Sequence, residues 1–451
     1  MKKRELDMLH GSIWDKLPRY ALPVAATAIL EQLFNASDIA VVGNFTGEYK
    51  TAAVAAVGAN SSLIALIVNL FIGVALGANV VIANAVGRGD RDAVSKAVHS
   101  SIVLALLGGA VVAVIGEIAA EPMLTALDVP EEVLPLALTY LRIYLLGLPV
   151  ILLYNFESAI FRSIGETKAP LIALAGAGCL NVALNLFFVA VLKMMVDGVA
   201  IATVVSNAVS SVLLYRRLLR TDSAIRVEPR KLRIDGRILG NILRIGLPAG
   251  IQSAMFAISN IVIQAAVNSL GTVVMAASSA AFNIEVVTYD ILNSYSQACA
   301  TFTGQNYGAG ELGRCRRTLL LCLAEGAVTL AAAIALILGF GKTLLAIFNN
   351  NPQVIETGYI RLMLVMVSHF LSLLYEVMSG YMRGFEISLV PAVMTTLGVC
   401  GVRICWIEFV FPHSRTFQTI MTAYPVSLGI TTLMIFAALM YYRPSHRKAK
   451  A

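Results

Sequence analysis

Three side chains suited to proton or cation chemistry interrupt the first apolar run of this chain: Glu31, Asn35 and Asp38. Spacings of four and three place them on one face of a helix. An ionisable residue at mid-bilayer costs about 2.5–3.5 kcal/mol on insertion scales, so its presence reads as functional. Asp38 has no Lys or Arg near it in sequence. A carboxylate in apolar surroundings needs a partner or a proton, which suits reversible protonation. The competing reading is a structural buried hydrogen bond, and we weigh it below function. Asn181 and Asn185, four residues apart in a later apolar run, share a face. Their amide oxygens can ligate a hard cation or hydrogen-bond a carboxylic acid, and equally can join helices.

The second half carries a more dispersed polar set. Ser253, Asn260, Gln264 and Asn268 form one stripe. The next run has two polar faces: Asn283, Asp290, Asn293 and Gln297 on one, Glu285, Tyr289 and Ser296 on the other. A helix polar on two sides belongs in the centre of a bundle. His369, Ser372, Glu376, Ser379 and Arg383 follow at steps of three or four, and Glu376 can pair with His369 or with Arg383. Glu325 and Arg403 also lie within apolar runs and read as structural. Phe34, Phe282, Tyr289, Tyr295 and Trp406 offer stacking surfaces for an organic cation, although core packing is the ordinary role of each.

These residues need a membrane to give them meaning, and the composition supplies one. Of 451 residues, 58% are hydrophobic and 14% charged, against about 25% charged in soluble chains. Apolar runs recur along the whole length. A span needs about 20 such residues, and in lipid only a structure that satisfies its own backbone is allowed. Twelve helical spans are expected at approximately 17–43, 52–78, 94–118, 133–160, 169–191, 196–216, 239–268, 272–303, 316–340, 354–382, 388–411 and 416–441. The charged, amphipathic start at 1–16 lacks the pattern of a cleaved signal peptide. The six cysteines have neither zinc nor haem spacing, and no metal centre or cofactor is expected. No phosphate-binding loop, H-E-x-x-H or G-x-S-x-G occurs. Gly87-Arg88-Gly89-Asp90 with Tyr289-Asp290 matches the intramembrane aspartyl protease pattern in reversed order. Asp90 falls in a basic loop, so we read it as a turn and the chain as a non-enzyme.

The net charge of +7 is a topology signal. With the N-terminus inside, 26 of the 34 basic residues fall on the cytoplasmic side and only Lys50, Lys193, Lys342 and Arg415 outside. Both termini are therefore expected in the cytoplasm of a cell with the protein in its inner (plasma) membrane. The charges alternate between loops, which excludes a nucleic-acid stripe and leaves membrane lipid as their partner.

The two halves repeat. LLYNFESAIFRSIGETKAP at 152–170 and LLYEVMSGYMRGFEISLVP at 373–391 share six of 19 positions at an offset of 221, including Arg162/Arg383 and Pro170/Pro391. Gly87-Arg88-Gly89 aligns with Gly308-Ala309-Gly310 at the same offset. A small shift pairs Pro23 with Pro248 and Asn35 with Asn260. Six spans per half make the repeat parallel. The expected organisation is a cytoplasmic segment 1–16, an N-lobe 17–216, a basic linker 217–237, a C-lobe 238–441 and a basic tail 442–451.

Several stretches then carry a family resemblance over nearly the full length. They are Pro23 with Glu31-Gln32-Leu33-Phe34-Asn35, Asp38 and Val42-Gly43; Asn84 to Asp90; Phe161-Arg162-Ser163-Ile164-Gly165 with Pro170; Gly304-Gln305-Asn306-Tyr307-Gly308-Ala309-Gly310; and Arg403 with Tyr424-Pro425. In order and spacing they resemble the multidrug and toxic compound extrusion (MATE) family. The resemblance implies an all-α polytopic membrane protein with twelve transmembrane helices in two parallel six-helix bundles forming a V. It implies export of amphiphilic or cationic organic compounds against H⁺ or Na⁺, without a cofactor, by a monomer. It assigns cation or proton coupling to Asp38, Asn181, Asn185 and Thr203, with Na⁺ a candidate at Asp38, Asn181 and Asn185. Some members have Asp where this chain has Asn185, so proton coupling through Asp38 alone becomes reasonable. The family's second site, in the C-lobe, is only partly rebuilt by Glu285, Asp290 and Glu376. The cavity surface is expected to include Glu31, Asn35, Asn260, Gln264 and Tyr289, and Pro23 is the expected bending point. The rival is a flippase for lipid-linked oligosaccharides of the same wider superfamily. It would want several arginines deep in its spans, where the sequence offers Arg403.

Overall fold

The computed structural model describes residues 6–127 and 129–444. The basic residues Lys2, Lys3, Arg4, Arg447, Lys448 and Lys450 lie outside them, as does the expected tail from residue 445 onward. Among the described residues there are thirteen α-helices and no strand. They are α1 (Lys16–Phe45), α2 (Lys50–Gly87), α3 (Arg91–Ala126), α4 (Leu134–Ser163), α5 (Lys168–Val191) and α6 (Val196–Arg220) in the first half. The second half has α7 (Gly236–Asn268), α8 (Thr272–Gly308), α9 (Leu312–Gly339), α10 (Gly341–Phe348), α11 (Pro352–Gly384), α12 (Leu389–His413) and α13 (Phe417–Tyr442).

Eleven of these are long and apolar enough to cross a membrane. The twelfth expected span, α1, is a continuous 30-residue helix. Glu31, Gln32, Asn35 and Asp38 dilute its apolar character, so a helix this polar needs protein or water beside it. The short α10 was not expected. It is a single amphipathic piece that buries Leu345 and abuts α11 at Gly341.

Several helices outrun their apolar stretches because their polar residues find partners. In α2, Asn60 Nδ2 donates to Ala137 O of α4 at 2.8 Å, and Asn79 Nδ2 donates to Ala159 O at 3.0 Å. Such pairings let the helix continue to Gly87, nine residues beyond the expected end of the span.

The chain divides into two compact units. Unit 1 holds Ala26–Gly246 and unit 2 holds Asp7–Ala25 together with the chain from Leu247. The chain passes between units inside α1 and inside α7, within two residues of Pro23 and Pro248. In unit 1, α4 packs on α2, α3 and α6, and α5 lies along α6. Gly109 of α3 meets the backbone of Pro149 so closely that a Cβ has no room there; small residues let membrane helices approach in this way. The linker lies on α3. Buried His99 accepts from Glu228 N–H through Nε2 at 2.9 Å, while its Nδ1 faces Ser95 O at 2.6 Å. Asp235 N–H donates to Ser100 Oγ at 3.0 Å.

In unit 2, α8 and α11 pack along each other, flanked by α9 and α13. The polar run α8 thus has protein on more than one side. Ser296 Oγ donates to Glu376 O at 2.7 Å, beside the close approach of Gly380 to Ser296 O. The family-like stretch Gly304–Gly310 anchors the segment before α1. Asn306 Nδ2 donates to Met8 O at 3.2 Å, and Arg314 bridges Asn306 Oδ1, Met8 O and Gly11 O.

The internal repeat is written in the backbone as well as in the residues. Gly89 and Gly310, 221 apart, both take positive φ (70° and 80°) where the second helix of their half ends. Gly165 (φ 79°) is matched at the same offset by Glu386 (φ 63°). The π-helical turn at Leu186–Val191 recurs at Trp406–Val410.

Candidate functional site

Asp38 sits on α1 seven residues before the helix ends, about 10 Å along its axis. Asn185 is the last residue of α5 before the π-helical turn. Thr203 lies seven residues into α6. The three therefore meet at one end of unit 1, where α1 and α5 stop and α6 begins. Asn185 Nδ2 donates to Asp38 Oδ1 at 2.5 Å, and Thr203 Oγ1 donates to Asp38 Oδ2 at 3.0 Å. Asn185 Nδ2 also reaches Asn181 Oδ1 at 3.2 Å, and Asn181 Nδ2 reaches Thr203 Oγ1 at 3.4 Å. The four side chains close a ring, and Asp38, Asn181 and Asn185 are all at least 95% buried.

Packing sets this meeting. The Phe34 ring occupies the place where a Cβ would stand at Gly178 of α5. Only glycine there lets α1 lie close enough for Asp38, one turn beyond Phe34, to reach Asn185, two turns beyond Gly178. Val41 and Val42, just past Asp38, join the core formed with α2, α4 and α6. A π-helical turn frequently marks a functional site, and this one immediately follows Asn185. It widens the helix beside the ring.

The arrangement is chemically specific. Every neighbour of Asp38 in the ring is neutral, and the donors converge on its two oxygens. No cationic side chain forms an ion pair with it among the described residues. Asn185 Oδ1 is buried without a hydrogen-bond partner. The ring can therefore release the Asp38 charge to a proton, or offer several oxygens to a small cation after an amide rotates.

Sequence reading overlooked Tyr140 and Tyr144 of α4. Their rings stack with centroids 6.4 Å apart at 23°, and both lie within electrostatic range of Asp38. Their spacing of four in a run otherwise rich in Leu is the signal that was available.

The other expected residues disperse. Glu31 is half-buried and faces the charge of Arg162 from a distance. Asn35 is exposed and outside the ring. At 100° per residue, Asn35 stands about 60° from Asp38, whereas Glu31 stands about 20° from it. Asn260 and Gln264 are exposed on α7, and Gln264 Nε2 donates to Asn268 Oδ1 at 2.7 Å. Glu285 is taken up by a cation: Arg361 Nε and Nη2 reach its two oxygens at 3.0 and 2.5 Å, with both residues buried. Arg361 is thus a second arginine deep in the spans, beyond the single one read from sequence, and its charge is balanced by that acid. Glu376 faces Arg383 at 3.9 Å, and Arg383 Nη2 donates to Gln252 Oε1 at 3.0 Å. His369 bonds to Thr288 Oγ1 at 2.7 Å instead of pairing with Glu376. Tyr289 packs against His369, with centroids 6.5 Å apart, and Asp290 is half-buried. Asp90 is the N-cap of α3, accepting from Ala93 N–H at 3.0 Å, which accounts for it as a turn residue.

Two units of membrane-length helices, with a buried acid held by amides in the first, define a polytopic membrane protein. The MatE family model matches residues 23–187 and 248–407. The chain belongs to the MatE family, whose members are transporters and not enzymes. The probable multidrug resistance protein YoeA of Bacillus subtilis is 25% identical over 444 residues, covering 96% of this chain and 94% of that one. An FAD transporter of Shewanella oneidensis is 25% identical over 321 residues, covering 69% of this chain and 70% of that one. The structure of an outward-facing multidrug resistance MATE family transporter superposes with a TM-score of 0.90 at 20% identity, over 99% of each chain. The fold is the MATE fold.

Proposed function

We propose that this protein is a secondary active exporter of amphiphilic, cationic organic compounds, driven by inward movement of H⁺ or Na⁺ through the Asp38 ring. The observation that carries this reading is the neutral hydrogen-bonded cradle around a buried acid with no cationic partner. Relatives named for multidrug resistance support the substrate class. The FAD transporter among them makes a flavin nucleotide the substrate to test against it.

Protons fit the ring as it stands. Asn185 presents Nδ2 to Asp38, a donor that a metal cation would repel, and it must rotate before Oδ1 can ligate Na⁺. Loading Asp38 removes the charge that Asn185 and Thr203 hold, so their hydrogen bonds weaken and α1 is released from α5 and α6. The bend then falls near Pro23, where a backbone N–H is missing from the helix ladder. Coupling requires substrate and ion to differ in affinity between inward and outward states. In this reading both termini are cytoplasmic, 17–216 and 238–441 are the two lobes with 217–237 as linker, and one chain suffices for transport.

Transport into proteoliposomes under separate pH and Na⁺ gradients tests the proposal, with ethidium and FAD as alternative substrates. Uptake of ethidium driven by a pH gradient alone is expected. Gradient-independent movement of both compounds would overturn the reading.

A further inference from the structure

Unit 1 contains a second buried acid that the Asp38 ring does not use. Glu157 of α4 is 0% exposed. Ser211 Oγ of α6 donates to its Oε2 at 2.9 Å, and its Oε1 is buried without a hydrogen-bond partner. It belongs to no ion pair among the described residues. The titratable groups within electrostatic range of it are Tyr154 of α4 and Tyr215 of α6, and Tyr154 in turn faces the charges of Arg162 of α4 and Glu31 of α1. From α2 comes the neutral amide of Asn79, bonded to Ala159 O two residues along, and from α5 the carbonyl of Ala173, bonded to Ser210. One neutral donor is poor compensation for an ionised carboxylate out of water. The bare Oε1 is the place where a proton would sit.

The path from Asp38 to this acid is polar. Thr203, Ser206, Asn207, Ser210 and Ser211 recur at steps of three and four, forming one stripe of α6. Ser206, Ser210 and Ser211 are buried, and Ser206 Oγ has no hydrogen-bond partner. Asn207 Nδ2 donates to Thr203 O at 2.9 Å, continuing the stripe directly from the ring. At 1.5 Å per residue, Ser211 lies about 12 Å along α6 from Thr203, towards the end that carries Arg216, Arg217 and Arg220. Small hydroxyl residues also suit close packing between membrane helices; here the same run joins two buried carboxyls. The repeat does not duplicate this acid in place: the 221-residue offset puts Met378 opposite Glu157.

We propose that Glu157 is a second proton-carrying carboxyl of unit 1, exchanging protons with Asp38 along the α6 stripe. The proton leaves the acid form of Asp38, the Glu157 carboxylate receives it at Oε1, and it departs towards the basic end of α6. No other bond forms or breaks. The inference rests on ion-coupled export through Asp38, and the test separates the two.

Glu157→Gln keeps the size of the side chain and an oxygen for Ser211. Wild type, Glu157→Gln and Asp38→Asn are compared in proteoliposomes for ethidium uptake driven by a pH gradient and for gradient-free ethidium exchange. Glu157→Gln is expected to lower the driven rate at least roughly ten-fold, as loss of a proton-transfer group does, and to flatten its pH profile. Exchange should continue at the normal rate, which a merely structural role would not spare. Infrared difference spectra across a pH step should lose one carboxylic-acid C=O band in Glu157→Gln that Asp38→Asn retains. A normal driven rate and pH profile in Glu157→Gln, with Asp38→Asn inactive, overturns the Glu157 inference alone. Normal driven transport in Asp38→Asn overturns the coupling reading itself. Should Glu157→Gln fail to fold, Glu157→Asp decides: a shifted acid band supports the inference, and an unmoved spectrum overturns it.

Discussion

Replacing Asp38 by Asn tests the ring because the surrounding geometry tolerates the change. The new oxygen can keep the bond from Asn185 Nδ2, now 2.5 Å from Asp38 Oδ1. The new NH₂ would face Thr203 Oγ1, which presently donates to Oδ2 at 3.0 Å. That clash of donors resolves by rotation, because Thr203 Oγ1 also lies 3.0 Å from Val199 O and can donate there while accepting from the amide. The structural cost is the difference between a charge-assisted and a neutral hydrogen bond, about 1 kcal/mol. Folding and ring geometry therefore survive while the titratable group is gone. A site with equal affinity for the ion in both states shifts no equilibrium, so proton-driven uptake of ethidium should fall to the level of empty liposomes. Asp38→Glu, which restores an acid, should recover part of it. The assay is dye uptake into proteoliposomes after a pH jump, with thermal unfolding in detergent as the folding control. Driven uptake at the wild-type rate in a folded Asp38→Asn protein would refute the mechanism. A protein that unfolds by much more than the expected cost would refute the tolerance argued from Thr203.

Three further outcomes follow from particular contacts. Breaking the buried Glu285–Arg361 pair with Glu285→Ala should cost about 3–5 kcal/mol, whereas Glu285→Met with Arg361→Met should recover most of it, measured by thermal unfolding in detergent. Glu386 holds a left-handed conformation at φ 63° where its repeat mate is Gly165; strain of roughly 1–2 kcal/mol is released by Glu386→Gly against an entropic loss of about 0.5–1 kcal/mol, so the same assay should show a small gain or no change. The Asp235 carboxyl is held below the usual carboxylate range first by the Ile238 N–H, then by the Arg237 N–H and the charges of Lys96 and Arg237, against a smaller effect of burial. Its folded value is depressed, so its contribution is complete above the unfolded value of about 3.9 and fades as pH falls through the folded one. Proteolytic nicking of the linker should accelerate in that acid window, and Asp235→Ala should show the faster nicking at neutral pH.

The parts of this molecule that depend on solvent and periodicity were legible in the sequence. Apolar runs located the helices, because lipid leaves the backbone no other choice. The offset of 221 foretold the matched turns at Gly89 and Gly310. The Asp38 ring was legible only with help from the family: spacing put Asn181 and Asn185 on one face, but nothing local brings Thr203 to Asp38 across the 165 residues between them. Helix periodicity overreached at Asn35, because a shared face spans too wide an arc to guarantee a shared partner. What stayed illegible were pairings decided by packing between distant helices. Nothing local in the sequence pairs Arg361 with Glu285, 76 residues away; the packing of α8 against α11 does. Nothing local singles out Glu157 within the repeated segment 152–170; the fold buries it. Gly178 carried no signal at all, since its role is the room it leaves for Phe34.

The repeat also shows how the two halves parted. At the offset that matches the flanking segments, Thr203 corresponds to Tyr424 and Asn185 to Trp406; with the shift that pairs Asn35 and Asn260, Asp38 corresponds to Ile263. The acid, the amide and the hydroxyl of unit 1 are thus an aliphatic and two aromatic residues in unit 2. A cation nonetheless stands beside these positions. The Arg403 guanidinium lies 4.2 Å from the centre of the Tyr424 ring and donates through Nε to Ser427 Oγ at 3.1 Å. An aromatic face attracts a cation as a carboxylate does, though more weakly. The difference lies in exchange: the guanidinium is covalently fixed and always charged, whereas a proton or Na⁺ at Asp38 can leave. In that respect unit 2 carries a permanent cation where unit 1 has a titratable acid, and this asymmetry is a physical argument for the proposed coupling through Asp38.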